Sequence, residues 1–233
     1  MKYFLTLISI VLLSTTVVGQ NRKEKKTIDT YLQVSNQKMG CRSMPLMKWN
    51  QDSIGYYIYG KMKGMKEKNW KRFLNKIERV SGLHFYPVEN SKDAQILLYF
   101  GKVREYIKSE EISNKFKIDS KAIVWSNRDY DYSFGLQRTS FCIDKDEIHN
   151  FNQIKYMIKH EFLRALGLLG KLSGSTCVMS EEYSRKNKNN LLRSVDKACL
   201  AIHYADNIKS GMSTAEVKTA LKTMDLTPLL RRR

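Results

Sequence analysis

The stretch His160-Glu161-Phe162-Leu163-Arg164-Ala165-Leu166-Gly167 holds the residues of this chain best suited to chemistry. A zinc-hydrolase helix carries His-Glu-x-x-His. Two imidazoles one turn apart bind the metal, and the Glu after the first is the general base for metal-bound water. In the longer form of the pattern, a Gly turns the chain so that a third His reaches the ion. His160, Glu161 and Gly167 stand at matching positions, but Arg164 replaces the second His and Gly170 the third. Arg stays protonated and offers donors only, so it repels a divalent cation instead of ligating it. One imidazole is short of the three protein ligands usual for catalytic zinc.

The sequence therefore predicts a zinc site converted into a charge pair. Glu161 and Arg164 are three residues apart and can pair on a helix. The guanidinium of Arg164 presents a fork that suits a carboxylate. His160, Glu161 and Arg164 are the candidate ligand-binding residues, with binding expected in place of catalysis and no cofactor. The alternative is an active metal-dependent peptidase, with His160 as a zinc ligand and Glu161 as base. His84, His149 and His203 read as structural or surface residues. Asp144, Asp146 and Glu147 lack the spacing of a calcium loop and read as a negative helix start. No GxSxG elbow, P-loop or GxGxxG occurs in the chain.

The elements that must position these residues follow from periodicity. Ser53–Tyr59 reads as a strand from its β-branched and aromatic content. Trp70, Phe73, Leu74, Ile77 and Val80 recur at helical spacing and stop at Gly82. The cations beside them, Lys66, Lys68, Lys71, Arg72 and Lys76, read as a solvated face. Strands are predicted over Leu83–Val88, Ala94–Phe100, Ala122–Trp125 and Thr139–Ile143. The segment 102–120 is charged and mixed, and Asn127–Gly135 reads as a loop. Ile154, Met157, Ile158, Phe162, Ala165 and Leu166 form one apolar stripe, closed by Gly167. Residues 171–190 read as a loop and Leu191–Tyr204 as a helix. Ser213 and Glu216 make a capping box that opens a last short helix through Met224.

Several of these pieces resemble a bacterial family of exported domains of unknown function, itself similar to degenerate metzincin metalloproteases. They are Val80–Tyr86 (VSGLHFY), Asp93–Phe100 (DAQILLYF), His160–Leu168 (HEFLRALGL), Val178–Ser180 (VMS) and His203–Val217 (HYADNIKSGMSTAEV). The resemblance covers residues 46–224. Cys177-Val178-Met179-Ser180 is similar to the Met-turn that lies beneath the metal in metzincins, which makes Met179 the Met-turn residue. In that family a Gln commonly stands at the second His position, and Arg164 departs even from that. The resemblance implies an α+β, zincin-like fold with a small twisted mixed sheet, one long active-site-type helix and C-terminal helices.

Composition narrows the rest. The chain has 233 residues and a formal net charge of +18. With 42% hydrophobic residues, a packed core is affordable and general disorder is excluded. Residues 1–19 read as a cleaved signal peptide: Lys2, then the apolar run Tyr3–Leu13, then small residues before Gln20. Residues 20–45 read as a basic, mobile arm leading to a first helix or loop, residues 46–226 as the domain, and residues 227–233 as a basic tail. Export, to the periplasm or beyond, predicts two disulfides from Cys41, Cys142, Cys177 and Cys199. Three connectivities are open, and the expected pairing is Cys142–Cys177 with Cys41–Cys199. An exported basic monomer meets acidic ligands, glycans, envelope components or peptides, and nucleic acid is not expected.

Overall fold

The computed structural model describes residues 22–36, 38–39, 42–111, 122–144, 146–173, 177–183 and 191–231. The expected signal peptide and Cys41 lie outside them. The chain is mixed α and β, built on a five-stranded mixed sheet. Its strands are β3 (Ser53–Tyr59), β4 (His84–Pro87), β5 (Ile96–Phe100), β6 (Val124–Tyr130) and β7 (Leu136–Ile143), in the order β4-β3-β5-β7-β6. Four run parallel, and the edge strand β6 pairs antiparallel with β7. Two residue pairs before it, β1 (Lys38–Met39) and β2 (Arg42–Ser43), form a separate small ribbon.

The central strand β5, ILLYF, is buried at every position, as a strand covered on both faces must be. Its neighbour β7 shows how the two faces differ. Phe141 and Ile143 point into the main core, while Cys142 points the other way, into a smaller cluster with Tyr99, Val103, Tyr106 and Ile107. That second layer is α3 (Val103–Ser109), a helix hidden in the segment read as charged and mixed. The Tyr106 hydroxyl ties it to the sheet through Ser140 Oγ at 2.7 Å.

The main layer is α2 (Glu67–Ser81) and α4 (Phe151–Ala165). The stripe Trp70, Phe73, Leu74, Ile77 and Val80 is buried as its spacing predicts, and Gly82 closes α2 in the left-handed conformation. Phe162 of α4 stands edge-on to Trp70, Phe73 and Phe85, at centroid distances of 5.0, 5.8 and 5.3 Å. Such pairs contribute about 0.5–1.5 kcal/mol each beyond their burial. They fix α4 laterally against α2 and the sheet. Asn150 opens α4, its side-chain oxygen accepting from the N–H of Asn152 and Gln153. No acid lies in the first turn of α4; Asp144, Asp146 and Glu147 all precede its cap at Asn150.

Two stretches differ in extent from the sequence reading. Within residues 20–45, read as a basic arm leading to a first helix or loop, residues 22–35 form α1 (Arg22–Ser35), with Tyr31 and Val34 fully buried. Ile28, Tyr31 and Val34 share one face at helical spacing, which the surrounding lysines obscure. The strand expected at Ala122–Trp125 runs instead to Tyr130, because polar side chains are tolerated on an edge strand with one free side. It closes into a hairpin through Asp131, whose carboxylate accepts from Ser133 N and Gly135 N.

α5 (Ser194–His203) packs on α1 and α2, and is followed by α6 (Thr214–Thr223) and α7 (Thr227–Arg231). The capping box of α6 is formed as predicted, with Ser213 and Glu216 exchanging hydrogen bonds. No described helix is long and apolar enough to cross a membrane.

The expected pair Cys142–Cys177 is absent. Neither forms a disulfide, nor does Cys199. Cys142 lies in the α3 layer and Cys177 in the main core, on opposite faces of the sheet. The alternation of β7 separates them. Burial pushes the Cys142 thiol up to about 12, so it stays protonated. Cys41 being outside the described residues, the Cys41–Cys199 pairing is seen only from Cys199, which is buried and free.

Candidate functional site

His160 lies in the last turns of α4 and is almost fully buried. Its Nδ1 is 2.8 Å from the Val178 carbonyl oxygen, so that nitrogen carries the hydrogen and donates. The Nε2 is then the acceptor of the ring. Burial holds the imidazole below its ordinary titration range, which keeps it neutral at neutral pH. The Tyr156 hydroxyl, one turn earlier, donates to the Ser180 carbonyl at 2.6 Å. Two residues of α4 thus grip the turn that contains Met179.

That turn is also held from its other side. Ser180 N–H donates to the Cys177 carbonyl at 3.2 Å, closing a tight loop. Asp196, in the first turn of α5, accepts from the N–H groups of Val178 and Met179 at 3.2 Å each and of Arg193 at 2.7 Å. Desolvation raises the Asp196 carboxyl above its usual range, and the three N–H donors oppose that rise. Met179 is buried in the main core. Sequence reasoning placed Met179 but missed Asp196. The signal that could have found it is an acid in the second turn of the predicted helix Leu191–Tyr204.

Glu161 and Arg164 make the predicted pair, with Arg164 NH1 3.2 and 3.4 Å from the two carboxylate oxygens. Both side chains are largely buried. A second guanidinium joins them. Arg128 of the edge strand β6 is half-buried, and desolvation, then the charge of Arg164, push it down to about 10, with Glu161 opposing. Arg128 NH2 donates to Ser126 Oγ at 3.1 Å. The Nε atoms of both Arg128 and Arg164 are buried without a hydrogen-bond partner. The group therefore carries two cations and one anion beside a neutral imidazole. Nothing in the local sequence around Arg128 signals this role, which exists only because β6 folds beside α4.

The other positions of a zinc site do not fit a metal. Gly170 N–H donates to the Val34 carbonyl at 2.7 Å, and a Cβ at Gly170 would run into the Gln33 carbonyl. The end of α1 thus fills the space a third ligand would need. Gly167 adopts φ +97°, and a Cβ there would meet the Met47 carbonyl and His203 Nε2. The chain turns at Gly167 and runs toward the end of α1.

The remaining histidines are elsewhere. His203 is fully buried, its Nε2–H donating to the Met47 carbonyl at 3.0 Å and its Nδ1 facing the Tyr31 hydroxyl at 3.2 Å. Burial, with the nearby Lys48 charge, lowers it to about 3. His84 is exposed and pairs with Glu78 at 3.3 Å, and His149 is exposed before α4. Among the described residues no three His, Cys, Asp or Glu side chains are grouped to hold a metal ion.

The sequence profile of one family, "Protein of unknown function (DUF2927)", matches residues 24–223. The chain belongs to that family. The matched span runs from α1 through α6, so the family unit includes the helix that closes off Gly170. No curated protein matches the chain.

Proposed function

We propose that this protein is an exported, non-catalytic binding domain on a metzincin-like scaffold, whose active-site-type helix now presents Arg164 and Arg128 to a carboxylate-bearing ligand. The observation that carries this reading is the pair of buried, unpartnered Nε donors beside a single carboxylate. A buried cation without its anion costs several kcal/mol, and a ligand carboxylate would relieve that cost. The guanidinium fork favours a bidentate oxyanion. A peptide terminus or an acidic side chain has that chemistry. The edge position of β6 supports a peptide, because an extended chain can add to a free sheet edge beside Arg128.

The scaffold reading rests on element order: a helix, an apolar strand, further strands, then the helix with His160-Glu161 and a Met-containing turn held against it. In this reading the family retained the architecture that orients a metal ligand while replacing the ligands. The Nδ1–H bond of His160 to Val178 has the form of the outer-shell bond that aims a zinc-binding imidazole. Here the nearby charge of Arg164 acts on that imidazole.

The test is metal analysis of the full chain after chelator treatment and reconstitution with equimolar zinc. The expected result is zinc well below one per chain and no cleavage of a broad peptide library. Stoichiometric zinc, with peptidase activity lost in Glu161→Gln, would overturn the proposal. Binding is read by calorimetry against peptides with free and amidated C-termini. Arg164→Gln is expected to weaken the free-acid peptides by about tenfold or more, since a charge-assisted bidentate contact is lost.

A further inference from the structure

The far side of α4 carries a different feature. Lys159 and Glu161 are two residues apart and so project in nearly opposite directions. Where α2, α4 and the start of α5 meet, a cavity of about 540 Å³ opens. Five cations line it: Arg72 and Lys76 from α2, Lys155 and Lys159 from α4, and Arg193 before α5. None of the residues lining it is Asp or Glu. Asn69 and Asn152 add amide groups, and Phe73 with Leu191 supplies an apolar wall.

We propose that this cavity is a second binding site, for a ligand carrying clustered phosphate groups. The volume lies within the range of small-ligand sites, about 300–1,000 Å³, and is too small to follow a nucleic-acid backbone. A cleft lined by one sign of charge over apolar walls focuses its potential on the bound ion. Two guanidiniums offer planar forks and three ammoniums offer point charges, the mixture that suits several phosphate oxygens at once. Burial, then the charges of Lys76 and Lys155, lower the Lys159 amine to about 8. Its Nζ also stands 5.7 Å from the Phe73 ring centroid, which holds the ammonium at the wall of the cavity. Asp196, at the start of α5, acts favourably on Lys159.

The site is separate from the Arg164 group and does not depend on the peptide-terminus reading. The experiment is isothermal calorimetry of the full chain with inorganic tripolyphosphate, in parallel with flotation on phosphatidylcholine vesicles containing phosphatidic acid. The expected result is salt-sensitive binding to tripolyphosphate, weakened about tenfold or more by Lys76→Glu with Lys155→Glu. Lys218→Glu with Lys222→Glu makes the same charge change on the exposed face of α6 and is expected to leave most of the affinity. Vesicle binding with the same variant pattern supports the site and points to a phospholipid headgroup as the source. Binding of tripolyphosphate alone supports it and points to a soluble ligand. If neither probe binds, or both charge-reversal pairs weaken binding equally, the proposal is overturned. Circular dichroism of each variant confirms folding, and both reversals lie on partly or fully exposed side chains.

Discussion

On one side of α4, Glu161 lies 3.2 Å from Arg164, and His160 is fastened to the Val178 carbonyl. On the other, Lys155 and Lys159 face Arg72, Lys76 and Arg193 across a cavity with no acid among its lining residues. The first side is polar and largely buried: His160 is held by the turn at Val178, and Glu161 and Arg164 hold each other. The second is open, and its charges are brought together by the packing of α2 on α4. One helix thus carries a buried polar group on one face and an open, cation-lined cavity on the other. The first side should therefore resist being made into a metal site, and the second should tolerate change.

The sharpest break of that comparison is to rebuild the zinc pattern. Arg164→His removes a guanidinium at a helical position and is expected to leave a folded protein. Gly170→His places a side chain where α1 already lies, against the Gln33 carbonyl and Val34 Cα. We expect it to cost on the order of 4 kcal/mol or more, enough to leave little folded chain on thermal melting. A cooperative melt near that of the unaltered chain would show that α1 can move aside, and the third ligand position would again be available.

Next in size is the clamp beneath His160. Asp196→Ala leaves the N–H groups of Val178, Met179 and Arg193 without their acceptor. A cost of about 3 kcal/mol is expected, since each buried donor left unsatisfied costs roughly 1–3 kcal/mol. Urea denaturation measures it. Asp196→Asn keeps one acceptor and should cost less. If Ala and Asn cost the same few tenths, the turn is held by other means, and His160 is not positioned through Asp196.

What the sequence shows of this architecture divides along the same line. The stripes of α2 and α4 are legible because apolar residues recur at one period over four turns. The strand β5 is legible because five apolar residues run together. α1 and α3 are obscured, since Ile28, Tyr31 and Val34, and likewise Val103, Tyr106 and Ile107, are short apolar stripes among charges. At the site, His160, Glu161, Arg164 and Met179 stand out because their pattern is local. Arg128 does not, because its meaning comes from strand pairing that brings residue 128 beside residue 164. The cavity cations read as a solvated face for the same reason: Arg72 and Lys76 acquire their role only when Lys155 and Lys159 arrive opposite. The cysteines mislead because an even count says nothing of which sheet face each occupies.

Acid acts against the two buried histidines that this scaffold keeps neutral. His203 has a folded value of about 3 against an ordinary value of 6.5, and His160 is lowered in the same direction. The unfolded chain then binds more protons than the folded one below pH 6.5, so stability rises with pH in that window and is lost as pH falls. Each such group contributes a slope of about 1.4 kcal/mol per pH unit. For His203 the loss continues down to about pH 3. Denaturant midpoints between pH 7 and 4 measure it, and His203→Gln should flatten the slope. An unchanged slope in that variant would assign the loss to carboxylates.

The smallest effect concerns Lys155, which faces Lys159 one turn along the same helix. Without ligand, Lys155→Gln removes a like-charge pair and should raise stability by about 0.3 kcal/mol. The gain should shrink above pH 8, because Lys159 is lowered to about 8 and loses its charge there. With tripolyphosphate present the order should reverse: the unaltered chain binds more tightly and is stabilised by mass action, while the variant gains less. A melting curve with and without the anion shows both signs at once. A residue whose removal stabilises the free protein and destabilises the liganded one is retained for the ligand, since folding alone would favour its loss. If Lys155→Gln is neutral in both conditions, the cations around the cavity are ordinary surface charge. The two sides of α4 would then differ in burial only.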